Sequence, residues 1–263
     1  MLPIRYSVDS LLPVSDLESI AMLVHSALAT AAFGERADPQ TGAFEPEPLD
    51  IQTLGSRLHL FRRRIQRKQY LFRVGQPLHS LYLVHAGFFK ACVLSEDGRE
   101  KITGFRMRGD WLGIDALGTS SYTCDAVALD VGEVWDVPCS QLPVFCARLP
   151  QLQEHLTAAM AGEIRRDWRW MLSLGTLNAE QRVAAFLLDM AARQRTLGFS
   201  ARQLRLRMTR AEIGNFLALQ LETVTRALSR FGELGIIGVE RREIRLNDPD
   251  ALQMLLATAR TCH

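Results

Sequence analysis

A stretch of 23 residues near the C-terminus carries polar side chains at a spacing suited to contact with DNA bases. It reads TRAEIGNFLALQLETVTRALSRF, residues 209–231, and Glu222, Thr225 and Arg226 lie on a helical face that its apolar residues leave free. An arginine donates two hydrogen bonds to guanine O6 and N7, and a glutamate accepts one from cytosine N4. The alternative is a surface ion pair between Glu222 and Arg226, which would add about 0.3 kcal/mol to helix stability.

Two helices joined by a tight turn must position these side chains. Thr209, followed three residues later by Glu212, is a capping box and predicts that the first helix begins there. Gly214 allows the two helices to approach closely, and the second helix is predicted over residues 221–232. The residues expected to face inward are Ile213, Phe216, Leu217, Val224, Leu228 and Phe231.

The C-terminal third of the chain is basic and ends in a hairpin pattern. Residues 176–246 contain 12 arginines, no lysine and seven acidic residues, a local charge of +5, whereas the whole chain has a net charge of +2. Such a surface suits an anionic partner. Residues 235–246 alternate like a small hairpin, the wing, behind the two helices. We therefore predict a DNA-binding domain over residues 176–250 and a C-terminal tail over 251–263.

Three further segments precede this domain. Residues 1–50 are predicted to be an N-terminal extension, with an amphipathic helix near residues 16–31 and an acidic, proline-containing linker. Residues 51–146 contain short apolar runs separated by glycine turns, a pattern typical of a β-sandwich or barrel. Residues 147–175 are predicted to form one long helix.

That helix carries an apolar residue at every fourth position. A stripe of this kind needs a partner, either the same helix of a second subunit or the barrel of its own chain. We expect a homodimer. The stripe consists of Leu152, Leu156, Met160, Ile164, Trp168 and Leu172.

Composition limits the protein class. The chain has 263 residues, is 48% hydrophobic and 23% charged, and is long enough for two globular domains. It shows neither a signal peptide nor the roughly 18 consecutive apolar residues of a membrane span, so we expect a cytoplasmic protein without membrane contact. Its five cysteines, an odd number, argue against a disulfide framework.

Several stretches together resemble the CRP/FNR transcription regulators, and specifically the FNR branch. They are LFRVGQPLHSLYLVHAGFFK, DGREKITGFRMRGDWLGIDALG, AGEIRRDW, NAEQRVAAFLLDMAARQRTLGFS and MTRAEIGNFLALQLETVTRALSRF. The resemblance implies an α+β chain with a jelly-roll sensor domain, a long dimerisation helix and a C-terminal winged helix-turn-helix. It further implies an activator that binds double-stranded DNA at sites such as TTGAT-N4-ATCAA and contacts RNA polymerase.

The resemblance assigns roles to individual residues. Glu222 and Arg226 match the base-reading glutamate and arginine, and Thr225 stands where the FNR branch usually has serine. Ala218 replaces the usual glycine of the turn, and Gln220 replaces a serine or threonine N-cap. Further DNA-contact candidates are Thr209, Arg210, Gln220, Thr223 and Arg241. Glu96 and Asp97, in the loop Ser95 to Glu100, are candidates for contact with RNA polymerase or are simply a solvated hairpin tip.

The family's two best-known ligands are not expected. Cyclic AMP is held by an Arg-Ser pair and a glutamate, but Tyr122, Thr123 and Cys124 stand at the pair's place, and no arginine lies between Arg108 and Arg148. A [4Fe–4S] cluster needs thiolate ligands. The chain has no cysteine before Cys92, and Trp135 occupies the position of the family's barrel ligand.

Other signals stay open at this stage. Cys124, Cys139 and Cys146 are candidates for redox chemistry or are inert buried thiols. Haem binding through His79, His85 or His155 is a further alternative, and so is a regulator that needs no ligand. A cyclic-nucleotide-type module without DNA binding would require the missing phosphate-binding arginine. A cupin-like enzyme would require a metal set, and only His79 and His85 lie in the strand region, so no enzymatic activity is expected.

Overall fold

The computed structural model describes residue 55 and residues 57–257 of the 263-residue chain. The predictions for residues 1–50, including the amphipathic helix and the acidic linker, lie outside the described residues.

The N-terminal domain of the described region consists of two four-stranded antiparallel sheets. Its strands are β1 (Phe61–Ile65), β2 (Tyr70–Phe72), β3 (Ser80–Ala86), β4 (Phe89–Leu94), β5 (Glu100–Arg106), β6 (Trp111–Leu112), β7 (Asp125–Ala128) and β8 (Gly132–Pro138). The first sheet has the order β1-β8-β3-β6, and the second has the order β2-β7-β4-β5. The predicted double-sheet jelly roll is confirmed.

Strand β3 explains how the layers stack. Its residues Tyr82 and Val84 pack into the core between the two sheets, whereas Leu81 and Leu83 pack into a second core on the other face. Alternate side chains of a strand point to opposite faces, and here both faces are covered. The sequence LYLV, residues 81–84, is therefore continuously apolar instead of alternating.

Two helices cover the outer face of the first sheet: α1 (Leu142–Arg148) and α2 (Pro150–Thr176). Leu149 alone separates them, and Pro150 occupies the first position of α2, where its missing N–H costs nothing. The long helix thus begins three residues later than predicted and is preceded by a separate short helix.

The apolar stripe of α2 is divided between two environments. Leu152 and Leu156 are 0% and 5% exposed, because they pack with Leu81 and Trp111 in the core beneath the first sheet. The expectation that these two residues face a partner helix is therefore wrong: their own domain already covers them. Met160 packs partly against the same core. The remaining stripe is exposed and consists of Ile164, Trp168 and Leu172.

The C-terminal domain combines four helices and a three-stranded sheet. Its elements are α3 (Ala179–Thr196), β9 (Gln203–Arg205), α4 (Arg210–Leu217), α5 (Leu221–Glu233), β10 (Ile237–Glu240), β11 (Glu243–Leu246) and α6 (Pro249–Ala257). The sheet order is β10-β11-β9, so the predicted hairpin gains a third strand.

Helix α6 includes residues that were predicted to be a tail. Leu252 is fully buried, and the Gln181 side chain on α3 donates a hydrogen bond to the Leu255 carbonyl at 2.8 Å. Residues 251–257 are therefore part of the C-terminal domain. Within residues 57–257, none of the helices has the length and apolar character that crossing a bilayer requires.

Candidate nucleic-acid interface

The first helix of the pair begins where the capping box predicts. The Thr209 hydroxyl accepts a hydrogen bond from the Glu212 backbone N–H at 3.2 Å, and the Glu212 carboxylate accepts one from the Thr209 N–H at 2.8 Å. These reciprocal bonds satisfy two backbone donors that a helix start leaves free. Helix α4 follows at Arg210.

The turn between α4 and α5 is tight, and two of its residues are poorly suited to their positions. Ala218 adopts a left-handed backbone with φ of 53°, and the Gln220 side chain makes no capping hydrogen bond to α5. Both features match the departures noted in the sequence. A Cβ atom on Gly214 would lie 2.6 Å from the Leu219 carbonyl oxygen, so only glycine allows this approach of the turn to α4.

Helix α5 has one buried face and one exposed face. Val224, Leu228 and Phe231 are buried against the domain, as predicted, and Ala227 joins them. Glu222 and Arg226 are exposed, and Thr225 is half-buried beside them. The three polar residues thus lie toward the N-terminal end of an otherwise well-packed helix.

Glu222 and Arg226 do not form the surface ion pair that their spacing permits. Within the described part of the chain, neither side chain has an oppositely charged group within 4.0 Å. Both side chains consequently retain their hydrogen-bonding capacity for an outside partner.

The other predicted contact residues surround this helix. The Arg210 guanidinium lies 3.5 Å from the Thr225 hydroxyl, to which it donates a hydrogen bond. The Thr209 hydroxyl is engaged in the cap of α4, whereas Gln220 is exposed and Thr223 is half-buried at the start of α5. Arg241 is exposed at the turn between β10 and β11, with φ of 55°.

The three-stranded sheet presents several arginines to solvent. Arg207 is held by an ion pair with Asp130 of the N-terminal domain at 2.7 Å. The others are exposed and have no carboxylate within 4.0 Å among the described residues; they are Arg205, Arg241, Arg242 and Arg245. These unpaired charges suit contact with phosphate groups, which hold a protein on DNA without reading its sequence.

Aromatic rings fill the space between the sheets of the N-terminal domain. The Phe72 and Tyr122 rings stack with centroids 3.9 Å apart, and the buried Tyr122 hydroxyl donates a hydrogen bond to the Ser80 carbonyl at 2.6 Å. Arg106 is also buried, but its guanidinium pairs with Glu163 on α2. A buried phosphate needs a cation to offset its desolvation. The Arg106 guanidinium is not free for that role, because it is paired with Glu163.

The surroundings of Trp135 do not fit an iron–sulfur cluster. The ring is 9% exposed, the Arg62 guanidinium lies 5.1 Å from its centroid, and the His85 ring meets it edge-on at 5.7 Å. Cluster assembly requires thiolates, and neither these groups nor any residue before Cys92 provides one.

The cysteines of the described region are all free, and burial disfavours their reactive form. Burial raises the pKa of Cys92 to about 12 and raises the pKa of Cys124 further. It also raises the pKa of Cys139 and Cys146, which are half-buried. Since the thiolate is the nucleophile, these environments favour inert thiols.

The three histidines that are candidate haem ligands lie in different surroundings. His79 is exposed ahead of β3, His85 lies at the end of β3, and His155 on α2 accepts a hydrogen bond from the Trp111 indole at 3.1 Å. Burial lowers the pKa of both His85 and His155. Within residues 57–257, no three side chains of the kinds that ligate metals come together.

The loop with Glu96 and Asp97 is an exposed hairpin tip between β4 and β5. The Ser95 hydroxyl donates to the Asp97 carboxylate at 2.5 Å, and Arg99 pairs with the same carboxylate at 2.7 Å. These contacts hold Asp97 in place, and the hydrogen bond from Ser95 is the largest cause of its lowered pKa. The loop is ordered by its own side chains and leaves Glu96 exposed.

Sequence reasoning missed one set of residues next to the helix pair. The Asn215 side chain on α4 and Lys101 on β5 form hydrogen bonds between the two domains. No local pattern could have indicated them, because their partners are more than 100 residues away in the sequence.

Two family models match the chain. A cyclic nucleotide-binding domain matches residues 62–148, and a Crp-like helix-turn-helix domain matches residues 181–255.

Relatives match across most of the chain. The anaerobic regulatory protein of Pasteurella multocida is 38% identical over 218 residues, which are 82% of this chain and 80% of that protein. The fumarate and nitrate reduction regulatory protein of Escherichia coli is 38% identical over 199 residues, 76% of this chain and 80% of that protein. The solved structure of FixK2 from Bradyrhizobium japonicum aligns with a TM-score of 0.68 at 32% identity, and the alignment covers 74% of this chain and 96% of that one.

Proposed function

Because the chain belongs to the CRP/FNR family of DNA-binding transcription regulators, we propose that it is a homodimeric activator that reads palindromic sites such as TTGAT-N4-ATCAA. One observation carries the proposal: Glu222 and Arg226 are exposed on α5, and neither has an ion-pair partner among the described residues. Its action on the chromosome places it in the cytoplasm.

The reading of bases is assigned to the N-terminal part of α5. In this proposal the helix lies in the major groove, Arg226 donates two hydrogen bonds to a guanine, and Glu222 accepts one from a cytosine. Thr225, together with Arg210, borders the same surface. The exposed arginine at the wing tip, Arg241, meets phosphate and contributes affinity without specificity.

The dimer is assigned to the second half of α2. Ile164 and Trp168 are 50% and 63% exposed, and Leu172 continues the same stripe. A row of large apolar side chains on one helix is stabilised when a second copy covers it, and the matching helix of a second subunit has the same pattern. The two helix-turn-helix units would then address the two halves of a palindrome.

Activation and signal are the finer parts of the proposal. Exposed Glu96, with Asp97 beside it at the hairpin tip, is the proposed contact with RNA polymerase, on the strength of the resemblance to FNR-like activators. Neither cyclic AMP nor a [4Fe–4S] cluster is the proposed signal. Stacked Phe72 and Tyr122 occupy the space between the sheets, and the residues around Trp135 are not thiolates.

A bandshift titration tests the base-reading role. Arg226→Ala should weaken binding to the palindrome far more than binding to a scrambled duplex, since each base-reading contact contributes roughly 1–3 kcal/mol of discrimination per half-site. Arg241→Ala is the control: if it meets only phosphate, both affinities fall together. If Arg226→Ala leaves the ratio of the two affinities unchanged, the base-reading role assigned to this helix is wrong.

A further inference from the structure

Strand β5 lies at the edge of the second sheet, and a side chain occupies part of that edge. The Asn215 side-chain amide on α4 donates a hydrogen bond to the Glu100 carbonyl at 2.8 Å and accepts one from the Ile102 N–H at 2.7 Å. A neighbouring strand would make the same two bonds to this edge. The helix-turn-helix unit is thus docked on the N-terminal domain through backbone groups of β5.

A lysine between those two backbone groups adds a second connection. The Lys101 ammonium donates hydrogen bonds to the carbonyls of Asn215 and Phe216, at 2.5 Å and 3.0 Å. Both carbonyls belong to the last turn of α4, where backbone acceptors lack partners within the helix and a positive charge is favourable. We call the contacts of Asn215 and Lys101 with the opposite domain the strand–helix latch.

Aromatic packing and a further ion pair surround the latch. The Phe216 ring on α4 meets Phe105 of β5 at 5.3 Å and Trp170 of α2 at 4.8 Å, both edge to face. Lys90 on β4 lies 3.6 Å from the Glu212 carboxylate of α4. Helix α4 therefore contacts strands β4 and β5 of the N-terminal domain and the long helix α2.

The chain connection between the two domains is short. Helix α2 ends at Thr176 and α3 begins at Ala179, so two residues join the long helix to the DNA-binding domain. Recognition helix α5 follows α4 after the three residues 218–220. A contact that fixes α4 relative to the N-terminal domain therefore also fixes α5.

The latch and the base-reading surface use different groups. The latch engages the C-terminal end of α4, while Glu222 and Arg226 on α5 remain exposed. DNA binding and docking are thus compatible in this arrangement, and the docked state is the one in which the orientation of α5 is defined.

We propose that Asn215 and Lys101 are positioning residues that fix the orientation of the two recognition helices and thereby determine which half-site spacing the dimer accepts. This inference rests on the proposed function. A one-base-pair change in spacing moves a half-site by about 3.4 Å and rotates it by about 35° around the DNA axis. Rigidly held helices reject such a change, whereas helices on a loose junction tolerate it.

The spacing test uses duplexes that share both half-sites but have three, four or five base pairs between them. Wild-type protein should prefer the spacing of four. Asn215→Ala should lower this preference by about tenfold, the scale of the hydrogen bonds lost in each subunit, and Lys101→Met should act in the same direction. Asn215→Asp keeps the acceptor for the Ile102 N–H and should lie between wild type and Asn215→Ala.

Asn247→Ala is the matched control. Its amide donates to the Gly235 carbonyl at 3.0 Å, within the C-terminal domain, so the variant removes an asparagine contact without touching the latch. It should keep the wild-type spacing preference. Circular dichroism spectra should match the wild-type spectrum if each variant is folded.

A distance measurement tests the orientation without DNA. Spin labels at Gln66→Cys and Ser229→Cys, both exposed positions, report the separation of the two domains within one chain when labelled protein is diluted with excess unlabelled protein. The other accessible cysteines are replaced by serine. We expect one narrow distance distribution for wild type and Asn247→Ala, and a broad one for Asn215→Ala.

The two measurements separate the inference from the proposed function. Equal spacing preferences, or equally narrow distance distributions, in Asn215→Ala and wild type would overturn the positioning role. Wild-type protein that binds palindrome and scrambled duplex alike would instead refute the proposed site, and the distance distributions would then decide the role of the latch by themselves.

Discussion

Replacement of a glycine by alanine should have opposite effects on stability in the two helices of the pair. At Gly214 on α4, a Cβ atom would lie 2.6 Å from the Leu219 carbonyl oxygen, a backbone atom that cannot rotate away. The Leu219 N–H is bonded to the Gly214 carbonyl at 2.8 Å, so the turn is held against the helix at this point. Gly214→Ala therefore forces α4 and the turn apart.

The expected magnitude follows from two opposing effects. Overpacking of this kind costs up to about 3 kcal/mol, and replacing a helical glycine by alanine recovers about 1 kcal/mol of helix propensity. The net loss is about 2 kcal/mol. In a domain of 60–100 residues, each kcal/mol corresponds to roughly 4–8 °C in Tm. Specific DNA binding should fall as well, because the displaced turn moves α5.

Gly232→Ala on α5 is the matched control. The nearest atom to a Cβ at this position is the Ile237 carbonyl oxygen at 4.0 Å, so the methyl group fits without strain. Only the propensity gain remains, about 0.5 kcal/mol near the end of a helix. Differential scanning calorimetry of the full chain should show a lower Tm for Gly214→Ala and an equal or higher Tm for Gly232→Ala. Equal Tm values for the two variants would refute the steric argument.

Three further outcomes are expected. Ala218→Gly should raise stability by about 1 kcal/mol in calorimetry, because φ of 53° strains an L-residue; a lower Tm would contradict this. Iodoacetamide at pH 7.5 should leave Cys92 and Cys124 unlabelled in native protein and label them after denaturation, as mass spectrometry would show, because burial raises their pKa. Burial lowers the folded-state pKa of His155, so its stability contribution is present above the unfolded pKa of about 6.5 and is lost as the pH falls below it. Tm should thus drop less between pH 7 and pH 5 in His155→Gln, and an identical drop would rule out this titration.

The helix pair was the most predictable part of the fold because its signals are local. The capping box of Thr209 and Glu212 and the apolar spacing of α5 depend on residues within one or two turns. Strand β9 was missed for the opposite reason. It has three residues, and it becomes a strand only through pairing with β11.

Side-chain partners across the fold could not be read from the sequence. The period of α2 correctly predicts an apolar stripe, but it does not say that the first sheet covers Leu152 while Trp168 stays exposed. The docking of Asn215 on β5 likewise depends on how two domains meet. Periodicity identifies which residues need a partner, and tertiary structure selects the partner.

A double-mutant cycle between protein and DNA tests the central claim, that Arg226 reads a base, most directly. Wild type and Arg226→Ala are each titrated against TTGAT-N4-ATCAA and against a duplex with the guanine of each half-site replaced by adenine, its paired cytosine changing to thymine. If Arg226 donates two hydrogen bonds to that guanine, the base change should weaken wild-type binding by about 1–3 kcal/mol per half-site. It should weaken Arg226→Ala by clearly less, because that variant loses only the contact of Glu222 with the paired cytosine. Equal losses in both proteins would mean that Arg226 and the guanine act independently and would contradict the account.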